Sequence, residues 1–223
     1  MMRLGPMDIY SEHLIKNNFS KKSLLTGLIG ASEVNEYRSM VKRNQALVHE
    51  DLRTDHLYYV KKGTVSFKQG SHTFAFIGAG HFVGFETLLM NNRSRYTARI
   101  LEASDIYIFD RLEVMEYLFS LQEGWIFFYL LEKSARDKLL QHQHFMSFKG
   151  IDRLEVMLLD LAKTFGTTQG NNIVLPKCFT KSRLANYTNF SLNTITSLIK
   201  ELHHIEFLAP AEEDMLFRIN KKK

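Results

Sequence analysis

Cysteine occurs once in this chain of 223 residues, at Cys178. A lone thiol excludes a disulfide framework within the chain and any cysteine-ligated metal or iron–sulfur cluster, and it fits a reducing interior. Proline occurs only three times, beside 45% hydrophobic and 24% charged residues, a balance that excludes extensive disorder. Long apolar runs are also missing. The longest, WIFFYLL at 125–131, is far short of the roughly 20 residues that span a bilayer. The stretch MMRLGPMDIYSEHLIKNN has no apolar core of signal-peptide length. The expectation is a cytoplasmic protein with no membrane partner. No glycine-rich phosphate loop, nucleophile elbow or metal-ligand spacing occurs. His203 and His204 are adjacent and His142 and His144 lie two apart, so neither pair shares a helix face. No enzyme, metal or cofactor is expected.

What is present begins with charge. The net +5, with a pI near 9.2, permits a polyanionic partner without requiring one. From about 34 to 110, HLYYVKKGTVSFKQG, HTFAFIGAGHFVGF and YTARILEASDIYIFD read as short β-branched and aromatic strands. They are separated by tight turns at KKG (61–63) and GAG (78–80), where glycine can take positive φ. That spacing suggests a sandwich or small barrel, and residues 1–33 read as flanking helices.

After Asp110 the period changes. RLEVMEYLF reads as a short helix, and a longer one runs from about Glu123 to Met146. Along it Phe128, Leu131, Ala135, Leu139, His142 and Met146 recur at steps of three and four, the spacing of a coiled-coil seam. The stripe can pack on its own barrel or form a dimer interface. The second reading is favoured, because a long helix between two domains has few other surfaces on which to bury it. FKG at 148–150 suits a hinge. IDRLEVMLLDLAKTFG then puts Ile151, Leu154, Leu158, Leu161 and Phe165 on one face, with Gly166 as C-cap. NNIVLPKCF and MLFRIN resemble strands. The domains expected are 1–122, a β-barrel with flanking helices; 123–147, the long helix; and 148–223, a winged helix-turn-helix. The fold class is α+β.

Between those last strands, ANYTNFSLNTITSLIKELH at 185–203 meets the needs of two helices crossing through a tight turn. Ala185 permits close approach, and Asn189 tolerates the left-handed backbone that glycine usually supplies. Leu184, Phe190, Ile195 and Leu198 form an apolar wedge, and Thr180 and Ser191 suit the two N-caps. If the second helix enters a major groove, Ser191, Leu192, Asn193, Thr196, Ser197 and Lys200 face the bases. Asn193 matches adenine bidentately, Ser197 bonds several base edges, and Leu192 can touch a thymine methyl. Over 177–203, four basic residues against Glu201 leave a net +3, suited to phosphates. No arginine lies on the reading helix.

The collinear series LYYVKKGTV, GAGHFVGF, YTARI and FTKSRLANYTNFSLNTITSLIKELHHIEFL resembles the Crp/Fnr family of bacterial transcription regulators from about residue 30 to 220. The resemblance implies a cyclic-nucleotide-binding-like barrel (double-stranded β-helix or jelly roll), a long dimerisation helix and a winged helix-turn-helix. It implies a homodimer on a near-palindromic site in double-stranded DNA, with RNA polymerase as a possible partner where the outcome is activation. Thr180, Lys181, Ser182, Ser191 and Thr194 align with phosphate-gripping positions, and Leu192, Asn193 and Ser197 with base-reading ones. In well-known members two of those three are arginine and one is glutamate, so their operator does not carry over.

The family's type member binds cyclic AMP through a carboxylate, an arginine and a hydroxyl. Here Phe85 stands at the carboxylate, Tyr96 at the arginine and Thr97 at the hydroxyl. Glu86 and Arg95 are each one residue away, a shift that flips a strand side chain to the other face unless a bulge restores it. The pattern is nearer the branch typified by the listerial virulence regulator. That implies independence of cyclic nucleotides and either an unidentified small effector or none. Cys178 is expected to be buried and inert rather than redox-sensitive. The competing reading is a ligand-sensing or protein-binding module whose helix-turn-helix has lost DNA recognition, and the missing arginines motivate it.

Overall fold

The strand HLYYVKK buries Leu57, Tyr59 and Val60 and exposes both its ends, and the first sheet grows around it. The computed structural model describes residues 11–89, 93–210 and 217–220. The chain forms two compact units, one up to Gly63 together with Ala79–Asp137, the other Thr64–Gly78 together with the chain from Lys138.

In the first unit, helices α1 (Glu12–Asn18) and α2 (Lys21–Gly30) precede strands β1 (Glu36–Val41), β2 (Ala46–Val48), β3 (His56–Lys62), β6 (His81–Val83), β7 (Thr97–Ile100) and β8 (Ser104–Asp110). The order β1-β8-β3-β6 makes one antiparallel sheet, with Tyr59 opposite Tyr107 on one side and Phe82 on the other. A separate antiparallel pair joins β2 and β7, with Ala46 opposite Arg99. Asp110 ends β8 and caps α3 (Arg111–Ser120), accepting from the N–H groups of Leu112 and Glu113. A carboxylate there satisfies orphan donors and faces the positive end of the helix dipole. Leu24, Leu28, Leu57, Phe109, Val114, Leu118 and Phe127 share one core, each worth about 1.5–3 kcal/mol of burial.

The second unit contains the hairpin β4 (Val65–Gln69) and β5 (His72–Ile77), turned at Gly70, whose φ is 56°. It also contains the C-terminal part of α4 (Trp125–Ser147), then α5 (Gly150–Phe165), α6 (Lys181–Thr188) and α7 (Leu192–His204). Strands β9 (Thr167–Gln169), β10 (Asn172–Val174) and β11 (Arg218–Asn220) form an antiparallel sheet with β10 central. Leu154, Met157, Leu158 and Leu161 of α5 and Ile195, Ile199 and Leu202 of α7 are buried.

The expected α+β class and the order of elements are observed. Residues 1–10 and 215–216, included in the expected helical and strand segments, lie outside the described residues. Gly166 is the C-cap of α5, but its φ of −71° is extended, not left-handed. It is needed there for space, since a Cβ would overlap the Ile173 side chain and the Ala162 carbonyl.

Gly63 combines both constraints, with φ at 118° and a Cβ position that overlaps the buried Ser104 hydroxyl. Gly63→Ala is expected to destabilise the protein by about 2–4 kcal/mol, through backbone strain added to overpacking. Urea unfolding followed by circular dichroism measures this.

Candidate nucleic-acid interface

The helix pair is closed by backbone geometry. Asn189 takes φ 57° and ψ 39°, the left-handed conformation. The N–H groups of both Asn189 and Phe190 then reach the Ala185 carbonyl. Thr188 donates its hydroxyl to the Leu184 carbonyl at 2.7 Å, so the buried end of α6 carries its own polar satisfaction. Thr180 caps α6 by accepting from the Arg183 N–H, and Ser191 caps α7 by accepting from that of Thr194. The apolar wedge differs from the expected set by one helical step. Leu184, Ile195, Ile199 and Leu202 are buried, while Leu198 and Phe190 are half-buried. Phe190 lies under the Arg153 guanidinium, 4.7 Å from its ring centre.

The opposite face of α7 is a row of solvent-facing side chains. Ser191, Leu192, Asn193, Thr194, Ser197 and Lys200 are all exposed. Thr196 is half-buried and donates to the Leu192 carbonyl at 2.8 Å, which uses its hydroxyl internally. Ser191 and Thr194 hydroxyls lie 2.8 Å apart. Ser182 and Lys177 are exposed, and Thr180 and Lys181 half-buried, at the start of α6. Cys178 is buried, and its carbonyl accepts from the Arg183 guanidinium.

The back of α6 rests on the hairpin within the same unit. Asn186 accepts from the Thr73 N–H at 2.5 Å and donates to the Ser71 carbonyl at 2.7 Å. One amide therefore meets both backbone groups at the end of the hairpin. Phe76 packs edge-on against Phe179 and Tyr187, with ring centres 5.1 and 4.8 Å apart. His142 of α4 lies 4.8 Å from the Tyr187 ring and 6.3 Å from His72, and neither of its ring nitrogens has a hydrogen-bond partner.

The effector-pocket candidates diverge. Phe85 is buried in the first unit's core, 5.0 Å from the Phe128 ring. Tyr96 is half-buried beside Glu86. Glu86 meets solvent, yet the protein crowded around it desolvates its carboxyl and raises its pKa, opposed by the neighbouring Tyr96 phenol. Burial, with the Glu86 charge second, pushes the Tyr96 phenol well up. Arg95 is exposed, and the Thr97 hydroxyl accepts from the Glu50 N–H at 3.1 Å.

The expected seam of α4 also divides. Phe128 and Leu131 pack on the first unit's core, His142 and Met146 are half-buried, and Ala135 and Leu139 are exposed. Trp125, Tyr129, Leu139 and Leu140 are all at least half exposed. At about 100° per residue Trp125, Tyr129 and Leu140 lie a quarter-turn or more round the helix from the centre of the expected seam, to which Leu139 belongs.

Residues 38–121 match the cyclic nucleotide-binding domain family. No curated protein matches the sequence. Among solved structures, FixK2 from Bradyrhizobium japonicum is similar at a TM-score of 0.70 and 15% identity, over 85% of this chain and 93% of that one. A cyclic nucleotide-binding domain containing protein from Listeria monocytogenes gives 0.69 and 18%, over 89% and 96%. A CRP-family transcriptional regulator from Thermus thermophilus gives 0.65 and 15%, over 81% and 91%. The chain has the fold of the Crp/Fnr regulators.

Within the Crp/Fnr fold, the residues that sequence reasoning missed are those that hold the helix pair from behind: Asn186, Tyr187 and Arg153. Asn186 and Tyr187 lie on the inner face of an amphipathic helix, where periodicity marks burial without naming the partner.

His142 carries a pH prediction. Burial, with the His72 charge second, lowers its pKa from 6.5 to about 4. Unfolding therefore takes up a proton between these values, so stability is full above about pH 6.5 and is lost as pH falls toward 4. Allowing for its partial exposure, the loss is about 1–3 kcal/mol. His142→Phe should flatten this part of the curve, read as the difference between variant and parent in urea midpoints from pH 7.5 to 4.5.

Proposed function

We propose that the protein is a sequence-specific DNA-binding transcription regulator, a homodimer that places two copies of α7 in successive major grooves of a near-palindromic site. The helix pair and the β9–β11 sheet act as its winged helix-turn-helix. The observation that carries this reading is the two-sided character of α7. Ile195, Ile199 and Leu202 are buried, while Ser191, Leu192, Asn193, Thr194, Ser197 and Lys200 all face out from a helix held at both ends. An exposed row at the N-terminal half of such a helix is what a base-reading helix needs. In this reading Lys181, Ser182 and Lys200, with the hydroxyls of Thr180, Ser191 and Thr194, hold phosphates. Asn193, Ser197 and Leu192 read bases, with Thr196 supporting the turn through Leu192.

Dimerisation is assigned to the exposed side of α4 that carries Trp125, Tyr129, Leu139 and Leu140, since large apolar side chains left bare on one side of a helix call for a partner. Regulation independent of cyclic nucleotides is supported by Phe85, which fills the ribose-carboxylate position with a core aromatic, and by Tyr96, which offers no positive charge to a cyclic phosphate. RNA polymerase is the partner required if the regulator activates.

Selection from random double-stranded DNA tests the whole reading, and recovery of no preferred sequence from a folded dimer would sink it. Asn193→Ala should relax preference at one base pair and cost about 1–3 kcal/mol there, whereas Lys181→Ala should weaken all sites alike and shallow the salt dependence by about one unit. Competition binding across single-base variants measures both. The double substitution Leu139→Glu with Leu140→Glu should shift the dimer to monomer at micromolar concentration, seen by light scattering; an unchanged dimer would place the interface elsewhere.

A further inference from the structure

We infer that Arg153 is the positioning residue that sets the reading helix, acting as a shared C-terminal cap for α4 and α6; this rests on the DNA-reading assignment above. Arg153 lies in the first turn of α5, on neither of the helices it caps. Its Nε donates to the Phe148 carbonyl at 2.8 Å, and Phe148 directly follows the last residue of α4. Its Nη1 donates to the Thr188 carbonyl at 3.2 Å, the last residue of α6. Its Cζ stands 4.7 Å from the centre of the Phe190 ring, the residue between Asn189 and the cap of α7.

The carbonyls at a helix C-terminus have no partner within the helix and carry the negative end of its dipole. Here two such ends converge on one cation. A guanidinium satisfies both because its donors lie in one plane and point in different directions, and its flat face remains free to stack on an aromatic ring. An ammonium is a compact point charge and cannot make the two bonds and the stacking contact together. The consequence falls on α7. Its entry is fixed by the 188–190 turn, and that turn is held to the end of α4 through Arg153, so the direction of the reading helix depends on a residue that faces neither bases nor phosphates.

The test uses the full-length protein and the duplex recovered by selection. Arg153→Lys keeps the charge and is expected to raise Kd about tenfold by loss of charge-assisted bonds. The slope of log Kd against log salt should not change, because no phosphate contact is lost. In the DNA-free protein, hydrogen exchange at the Phe190 amide should speed up about tenfold, while the Leu158 amide keeps its rate. Phe190→Leu leaves both carbonyl bonds and should act in the same direction, by about threefold, so a failure of the lysine variant to fold leaves a second measurement. Unchanged Kd and unchanged Phe190 exchange overturn the assignment. A salt slope reduced by about 0.9 also overturns it, making Arg153 a phosphate ligand. If the parent protein selects no duplex, the DNA reading fails, and Phe190 exchange alone decides whether Arg153 holds the turn.

Discussion

Two backbone N–H groups, those of Asn189 and Phe190, converge on one carbonyl, that of Ala185. Both can reach it only if the chain reverses within a single residue, which requires the left-handed conformation that Asn189 adopts. L-residues pay about 1–2 kcal/mol there, and asparagine is among the few that visit it routinely. The reversal brings α7 back beside α6, where Ala185 is buried. It also points Ile195, Ile199 and Leu202 inward, and the same rotation turns Asn193, Ser197 and Lys200 outward. The candidate interface is therefore the geometric complement of the core, and both follow from one turn.

Most of that turn was legible in the sequence, because its requirements are local. The caps Thr180 and Ser191 and the left-handed Asn189 each answer to neighbours within four residues, and each is observed in its expected role. What depends on distant partners was less legible. The wedge was assigned to Leu198, but Ile199 is the residue buried; adjacent apolar residues differ by only about 100° around a helix, and the neighbouring elements decide which one faces inward. Phe128 and Leu131 are taken up by the first unit's core, leaving Trp125, Tyr129, Leu139 and Leu140 uncovered. Nothing near Asn186 in sequence announces the backbone groups of Ser71 and Thr73 that its amide meets.

In the proposed regulator, the chemistry of the outward row sets how α7 would read bases without arginine. Arginine reads guanine with a long bidentate fork that tolerates some displacement of the helix. Asparagine and serine are short, so they reach base edges only if the helix sits deep and in a fixed orientation. Short readers therefore shift the burden from the reading side chains to the scaffold. The scaffold here is correspondingly well tied: the Asn186 amide bonds the hairpin from one side, Tyr187 packs between Phe76 and His142, and Arg153 spans two helix ends. The sparse chemistry on one face of the helix pair and the dense hydrogen bonding on the other are two sides of one requirement.

In the proposed regulator, packing takes the place of polar chemistry in the first unit as well. A barrel that responds to a charged ligand needs polar groups which cost free energy when the ligand is absent, and the ligand's arrival repays that cost. In the proposed regulator Phe85 stands where one such group would be, and its ring lies 5.0 Å from that of Phe128 on α4, an aromatic pair worth about 0.5–1.5 kcal/mol beyond its buried area. The contact joins the start of α4 to the segment that follows β6 by apolar packing. In the proposed regulator a ligand at that position has little left to stabilise.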